Sequence, residues 1–405
     1  MAGFGRFFPR GGAAVLAAFV ALLLLIGGCG PPQRKIGVII PLTGIRKSFG
    51  ESMKKGIDMA LQNLNAGKQP KDQLQVVYVD DQGDETKARE AAKHFAESKE
   101  MLALVGSYSN LCTIAIAEEA EKGKIPLISP TSASEEISMR GYKWVFRMNA
   151  PASYYAVTVL DFLKNCTHTR SLAVLYENDD FGVRTSEHIR KYASDMKFEI
   201  KQSSGFENQS LTFEPLLREV KAKKPEAIVM IAHKEDGLNL MRTARKVELN
   251  PRVFAGCGAG FSLSEFLSEG KGDVEYVFTV TQWNRLVEWP GAGDFVKTFR
   301  SRYGVYPEYH SAETYATMQV LAKCMEGGDT LTRDGLRTRL LALDADTVFG
   351  KIRFEHFESY TNQNSHPLLI QQVQKGEFML VWPASFSKAP LLFPMPPWDQ
   401  REALR

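Results

Sequence analysis

KIGVII at residues 35–40 and SLAVLY at residues 171–176 are short runs of β-branched and other apolar side chains, and the same features follow each. A polar, turn-rich loop comes first, then the pair Phe-Gly (Phe49-Gly50 and Phe181-Gly182), then a stretch of helical period. An apolar run without alternation suits a strand covered on both faces, as in a parallel sheet flanked by helices. Outward from the first run, LQVVYV (74–79), MLALV (101–105) and IPLI (125–128) predict further strands, with amphipathic helices over 53–65, 86–98 and 113–122. Outward from the second, FEIKQ (198–202), AIVMI (227–231) and RVFA (252–255) predict strands, and 183–196, 213–223 and 237–247 predict helices. The same order of elements twice over predicts an α/β chain of two Rossmann-like lobes. Both Phe-Gly pairs then stand at the carboxyl end of a strand, where open α/β sheets bind ligands, and the two aromatics are expected to face each other. A phenylalanine at such a turn also serves as a lid on the local core.

The rest of the chain does not make a third domain. Helices are predicted over 294–303 and 311–325, strands over 348–354 and 368–373, and a turn over 374–378. These segments are expected to complete the two sheets, crossing between lobes near 149–152, 279–283 and 360–365. One lobe would then comprise 35–150 with 283–362 and the other 151–282 with 363–382, joined by a three-stranded hinge. The proline-rich end, 383–405, with PMPPW at 394–398, is expected to run extended along the surface.

At the amino end, Arg6 and Arg10 precede an apolar run over 13–26, followed by Gly27, Gly28 and Cys29. Charge, apolar run and small residues in that order predict a secretory signal over 1–28. The run is shorter than the ~20 residues of a membrane-spanning helix. Ile26-Gly27-Gly28-Cys29 resembles the lipobox of bacterial lipoproteins, in which the cysteine is lipidated and the chain is cut before it. An ordinary cleaved signal with an incidental cysteine is the alternative. The expected location is extracytoplasmic, periplasmic in a diderm cell, anchored to a membrane through Cys29; Gly30 rather than Asp after the cysteine resembles the default for outer-membrane delivery in diderm bacteria, and which membrane carries the anchor stays open. The formal net charge is +3, two of it from the signal's arginines, so the mature surface is near neutral and gives no reason to invoke nucleic acid. Cys112, Cys166, Cys257 and Cys324 are widely spaced; disulfides and buried thiols both remain open.

The stretch from Ile36 through Pro41, Thr43 and Gly44, then Phe49-Gly50, Gly56 to Ala60 and Asn63, resembles the opening of periplasmic substrate-binding proteins of the branched-chain amino acid (Leu/Ile/Val-binding) type. Tyr78 to Gln82, Val105 to Ser107, Ile125 to Pro130, Arg147, Tyr176 and Phe181-Gly182 follow in that family's order, and the similarity covers about 35–382. It implies a type I periplasmic binding protein fold whose two lobes close on a small solute, an amino acid, organic acid or amide, and deliver it to an ABC permease. It also implies a monomer that uses no cofactor and no metal and is not an enzyme. A sensor that reports the solute to a signalling partner would use the same fold. Consistent with the absence of catalysis, the chain has no GxSxG or HExxH, and GCGAG (256–260) lacks the GxGxxG spacing. His94, His168, His188, His356 and His366 are too scattered to form a metal site.

By the resemblance, three first-lobe loops face the cleft: Thr43 with Gly44, Ser48 and Phe49; Ser107, Tyr108, Ser109 and Asn110; and Thr131, Ser132, Ala133 and Ser134. In the family the second and third bind a ligand carboxylate through hydroxyls and amides at a helix start. Helix capping is the plainer role for such residues. From the second lobe come Phe181, His233, Lys234 and the loop at Cys257. Amino acid binders of this family place an acid near Cys257 to neutralise the ligand ammonium. Asp179, Asp180 or Glu313 would have to supply that charge, or the ligand is not an α-amino acid. His233 and Lys234 favour an acidic or aromatic-acid solute; Lys234 also fits a solvated loop.

Overall fold

The computed structural model describes Met1 and residues 34–210, 212–327 and 331–401. The expected signal beyond Met1, the lipidation site Cys29 and the last four residues of the expected carboxyl extension lie outside the described residues. Among the described residues no helix is long and apolar enough to cross a membrane.

The first half alternates β1 (Arg34–Ile40), α1 (Lys47–Asn65), β2 (Leu74–Asp80), α2 (Glu85–Glu97), β3 (Met101–Gly106), α3 (Asn110–Lys122), β4 (Leu127–Ser129), α4 (Glu136–Met139) and β5 (Val145–Arg147). The second alternates α5 (Ala152–Asn165), β6 (Ser171–Glu177), α6 (Asp180–Asp195), β7 (Glu199–Phe206), α7 (Glu214–Lys223), β8 (Ala227–Ile231), α8 (Lys234–Lys246), β9 (Val253–Cys257), α9 (Ser264–Gly270) and β10 (Phe278–Thr281). Then come α10 (Ala292–Tyr303), α11 (Tyr309–Met325), α12 (Arg333–Leu341), β11 (Ala345–Thr347), β12 (Gly350–Ile352), β13 (Phe354–Phe357), β14 (Tyr360–Asn364), β15 (Leu369–Gln374) and β16 (Glu377–Trp382). One seven-stranded sheet runs β13-β14-β5-β4-β3-β1-β2 and the other β16-β15-β10-β9-β8-β6-β7, with β11 and β12 as a separate ribbon. The first five strands of each sheet are parallel, and in each the order reverses beside the first strand: β1 lies between β2 and β3, β6 between β7 and β8. Loops leaving the carboxyl ends of the strands on either side of that reversal run to opposite faces of the sheet and leave a crevice between them.

The chain passes between the sheets after β5, after β10 and after β14. These passages are tied together. Ala150 N donates to Gln282 Oε1 at 2.8 Å, and His366 Nε2 donates to Gln282 O at 2.6 Å. His366 is stacked on Phe349 with centroids 3.9 Å apart, and burial pulls its pKa down to about 4, so it stays neutral at physiological pH.

The glycine of each Phe-Gly pair has a steric cause. A Cβ on Gly50 would stand 1.7 Å from Pro41 O, and one on Gly182 would stand 2.2 Å from Glu177 O. Each helix start folds back over the carbonyl that ends the preceding strand segment, leaving no room for a side chain. The helices begin earlier than their apolar periodicity predicts: α1 at Lys47, α3 at Asn110, α6 at Asp180 and α8 at Lys234. Their first turns mix polar residues and glycines with single apolar ones, so the apolar stripe starts a turn late. Residues 360–365, expected to cross between lobes, form β14, and the crossing follows it; the strand expected over 348–354 divides into β12 and β13. Residues 383–401 lie along the second sheet's lobe, where Met395 is buried and its N–H donates to Arg252 O at 3.1 Å. All four described cysteines are free thiols.

Candidate functional site

A cavity of about 300 Å³ opens at the crevice. The first lobe contributes Arg46 after β1, Tyr108 to Leu111 after β3, Thr131 and Ala133 after β4, and Tyr309 and His310 at the start of α11. The second contributes Tyr155 from α5, Glu177 to Gly182 after β6, Ile231 to His233 after β8, and Gly258 and Ala259 after β9.

Asn110 organises the first wall. Its Oδ1 accepts from Ser132 Oγ at 2.7 Å, Ala133 N at 3.1 Å and Ser134 N at 3.2 Å, joining two loops. Its Nδ2 crosses the cleft to Asp180 Oδ2 at 2.7 Å. Arg184 to Glu136 at 2.8 Å and His188 to Glu135 at 3.3 Å also cross it, so the lobes stand in direct contact. Tyr108 lies flat on Phe49, centroids 4.2 Å apart and planes within 5°. Phe181 meets Tyr155 edge-on at 5.6 Å.

The second wall is acidic. Asp179 caps α6 through Gly182 N at 2.7 Å with one oxygen and meets His233 Nε2 at 3.1 Å with the other; the Arg46 guanidinium is 3.9 Å from that second oxygen. Glu177, 1% exposed, accepts from His233 N at 2.8 Å with Oε1, while Oε2 lies 3.6 Å from His233 Nε2. Burial pushes the Glu177 carboxyl up to about 7, against the pull of His233. Burial opposes charge on His233 too, but the hydrogen bond to Asp179 and the charge of Glu177 outweigh it and raise its pKa. For Asp179 burial is outweighed by the bond from His233, and its pKa is lowered.

Of the residues expected at the cleft, Tyr108, Ser109, Asn110, Thr131, Ala133, Phe181 and His233 are brought to the cavity wall. The others are placed differently. Thr43 donates to Asp80 Oδ2 at 2.6 Å. Ser48 and Lys234 line a separate small side cleft, and Lys234 pairs with Glu269 at 2.6 Å. Phe49 is buried behind Tyr108 rather than facing Phe181. Ser107 is fully buried and donates to Asp81, Ser132 supports Asn110, and Ser134 is buried behind the loop. Cys257 ends β9 beneath the wall, its thiol pushed up by burial. Glu313 lies fully buried outside the lining; burial raises its pKa far above the carboxylate range, and neither oxygen has a hydrogen-bond partner among the described residues.

Sequence reasoning missed Arg46, Tyr155, Glu177, Tyr309 and His310 as wall residues. Glu177 is the last residue of a strand whose apolar run ends one position earlier, and Arg46 shares a loop with Thr43; position after a strand was the available signal. Asp179 and Asp180, two of the three groups considered as the missing counter-charge, do line the wall; Lys234, half of the case for an acidic solute, does not.

A family model described as periplasmic binding protein matches residues 33–377. Leu/Ile/Val-binding protein homolog 8 of Brucella melitensis is 22% identical over 376 residues, covering 89% of this chain and 93% of the relative. Among solved structures, the substrate-binding protein LivJ of Streptococcus pneumoniae, in complex with isoleucine, superposes with a TM-score of 0.77 at 20% identity, over 87% of this chain and 100% of LivJ. A solute-binding protein of an R. palustris ABC transporter, in complex with benzoate, gives 0.75 at 18% identity, over 89% of this chain and 97% of that one. With two α/β lobes around one cavity and a family match across nearly the whole described chain, this protein belongs to the periplasmic binding protein family, which binds solutes and catalyses no reaction.

Proposed function

We propose that this chain is the lipid-anchored, extracytoplasmic solute receptor of an ABC permease, a monomer that captures one small amino-acid-like or organic-acid or amide solute between lobes 35–150 with 283–362 and 151–282 with 363–382. The observation that carries this reading is the cavity built from both sheets and bridged by Asn110 and Asp180. At about 300 Å³ it stands at the small end of the ~300–1,000 Å³ range of small-molecule sites. Ser109 and the start of α3 offer donors to an acceptor-rich group such as a carboxylate. Asp179 and Asp180 offer acceptors to an ammonium or amide, and Tyr108, Tyr155, Phe181 and Tyr309 offer apolar faces. A solute touching both walls favours the closed form because only that form satisfies both ends.

Native mass spectrometry of freshly purified protein is expected to find one small solute per chain, and adding that solute to emptied protein should reduce the radius of gyration. No compaction with any stabilising ligand refutes capture by closure. Cys29→Ser should release the protein from membranes and remove the mass of the lipid; unchanged membrane association refutes the anchor.

A further inference from the structure

The Glu177, Asp179 and His233 cluster does more than present negative charge. Its three donor atoms, one oxygen from each carboxylate and one imidazole nitrogen, lie within 4.8 Å of one another. The nitrogen is 3.1 Å from the Asp179 oxygen and 3.6 Å from the Glu177 oxygen. Donors ~2.0–2.2 Å from a common ion in tetrahedral or octahedral arrangement stand ~3.0–3.5 Å apart. We propose that Glu177, Asp179 and His233 form a binding site for a divalent transition-metal ion of the zinc class, with its open coordination positions facing the solute cavity.

The donors are fixed before any ion arrives. Glu177 spends Oε1 on the His233 N–H and Asp179 spends Oδ1 on the Gly182 N–H, which turns each second oxygen toward the imidazole; Glu177 Oε2 also accepts from Asn208 Nδ2 at 3.3 Å, a bond that holds its direction and leaves a lone pair for an ion. Partners of this kind set the direction and basicity of metal ligands. One imidazole and two carboxylates suit zinc, cobalt or nickel; calcium takes 6–8 oxygens and magnesium retains several waters. Two carboxylates beside a neutral imidazole also balance a dication, whereas Arg46, 3.9 Å from Asp179, supplies one charge from the opposite lobe and stays outside hydrogen-bond reach. The scattered histidines that exclude a metal site in the sequence do not include His233, whose carboxylate partners come from the end of β6 and the loop after it, more than fifty residues earlier in the chain. With the ion in place the charges of Glu177 and Asp179 are neutralised, and its open coordination positions make a chelating carboxylate a complementary solute group. That consequence rests on the receptor reading; the metal site does not.

The test needs no solute. Chelator-stripped protein is titrated calorimetrically at pH 7.5 with Zn²⁺, Ni²⁺ or Mg²⁺ alone. One equivalent of Zn²⁺ or Ni²⁺ is expected to bind, and Mg²⁺ is expected to give no heat. Asp179→Asn, which keeps the helix cap, and His233→Gln should each weaken Zn²⁺ binding more than ~100-fold, beyond what losing a ligand's own hydrogen-bond partner costs. A folded wild-type protein that binds no Zn²⁺ overturns the proposal. So does stoichiometric binding that persists unchanged in both variants at wild-type melting temperature. Metal binding without any captured solute would uphold the site and refute the receptor reading alone.

Discussion

Asn110→Asp tests whether the lobes are held together by the bond across the cleft. The substitution keeps the oxygen that accepts from Ser132, Ala133 and Ser134, so the first wall should stay assembled. It removes the Nδ2 donor that reaches Asp180 Oδ2 at 2.7 Å and sets a second carboxylate against it. Losing a hydrogen bond to a charged group costs about 1.5–3 kcal/mol. Two like charges ~3 Å apart repel by roughly 1.5–5 kcal/mol between the dielectric of water and that of a protein surface. Opening relieves the repulsion, so a net bias of about 3 kcal/mol toward the open form is the reasonable centre, a shift of roughly 100-fold in the open-to-closed ratio. Small-angle scattering of the solute-free variant should give a larger radius of gyration than wild type, and affinity for the co-purified solute should fall by about the same factor, with little change in melting temperature. Because Asn110 also lines the cavity, affinity alone does not isolate closure. Adding Asp180→Asn to Asn110→Asp restores a donor facing an acceptor and should recover compaction. Equal radii for wild type and Asn110→Asp, or no recovery in the double variant, would refute the argument.

Phe49→Ala empties a buried site behind Tyr108 and should cost about 3–5 kcal/mol in a denaturant melt, whereas Phe181→Ala, on the cavity wall, should mainly weaken solute binding; equal destabilisation with affinity unchanged in both would place both rings in the core. Because burial raises Glu177 to about 7, the folded state holds a proton that the unfolded chain releases near its ordinary value of 4.5, and stability from this group is lost as pH rises through that window. His233, raised above 6.5, acts in the same direction, its contribution present below 6.5 and lost as pH passes its folded value. The melting temperature of Glu177→Gln should therefore gain on wild type between pH 5 and pH 8, and parallel curves would contradict the assignment. Glu313→Met replaces a buried carboxyl with no hydrogen-bond partner among the described residues, so stability should hold or rise by about 1–3 kcal/mol with solute affinity unchanged; lost affinity at unchanged stability would mean that Glu313 reaches the solute.

The longer strands were legible because burial on both faces writes them as unbroken apolar runs: KIGVII, MLALV and AIVMI need no context. β5 was not, since three residues in the run WVFR give no periodicity and its edges are set by pairing with β4. α5 escaped for another reason. ASYYAVTVLDFLKN buries Tyr155, Ala156, Val159, Leu160, Phe162 and Leu163, too wide an apolar face to separate a helix from a strand by pattern alone. Losing α5 also lost Tyr155 from the wall. In the first lobe, the hydroxyl and amide residues after β3 and β4 were legible through the family resemblance, since their types alone fit helix capping equally well. In the second, attention to a missing acid after β9 obscured the one at the end of β6, where Glu177 continues a strand and carries no loop signature.

The repeated fold does not repeat its chemistry, and the two phenylalanines mark where the lobes diverge. Each precedes a glycine forced by a nearby carbonyl, so the backbone device is the same in both lobes. Phe49 turns inward and supports Tyr108, leaving the first wall to the donors around Asn110 and the Arg46 guanidinium. Phe181 stays at the cavity beside Glu177, Asp179 and Asp180, so the second wall joins an aromatic face to carboxylates. A solute bridging them must offer acceptors to one lobe and donors to the other. A bound dication at Glu177, Asp179 and His233 would occupy two of those carboxylates and leave the first wall's requirement untouched. Zinc titration of the stripped protein therefore decides whether Glu177 and Asp179 are open to a solute donor or taken by an ion, with Asp180 left as the wall's acceptor in either case.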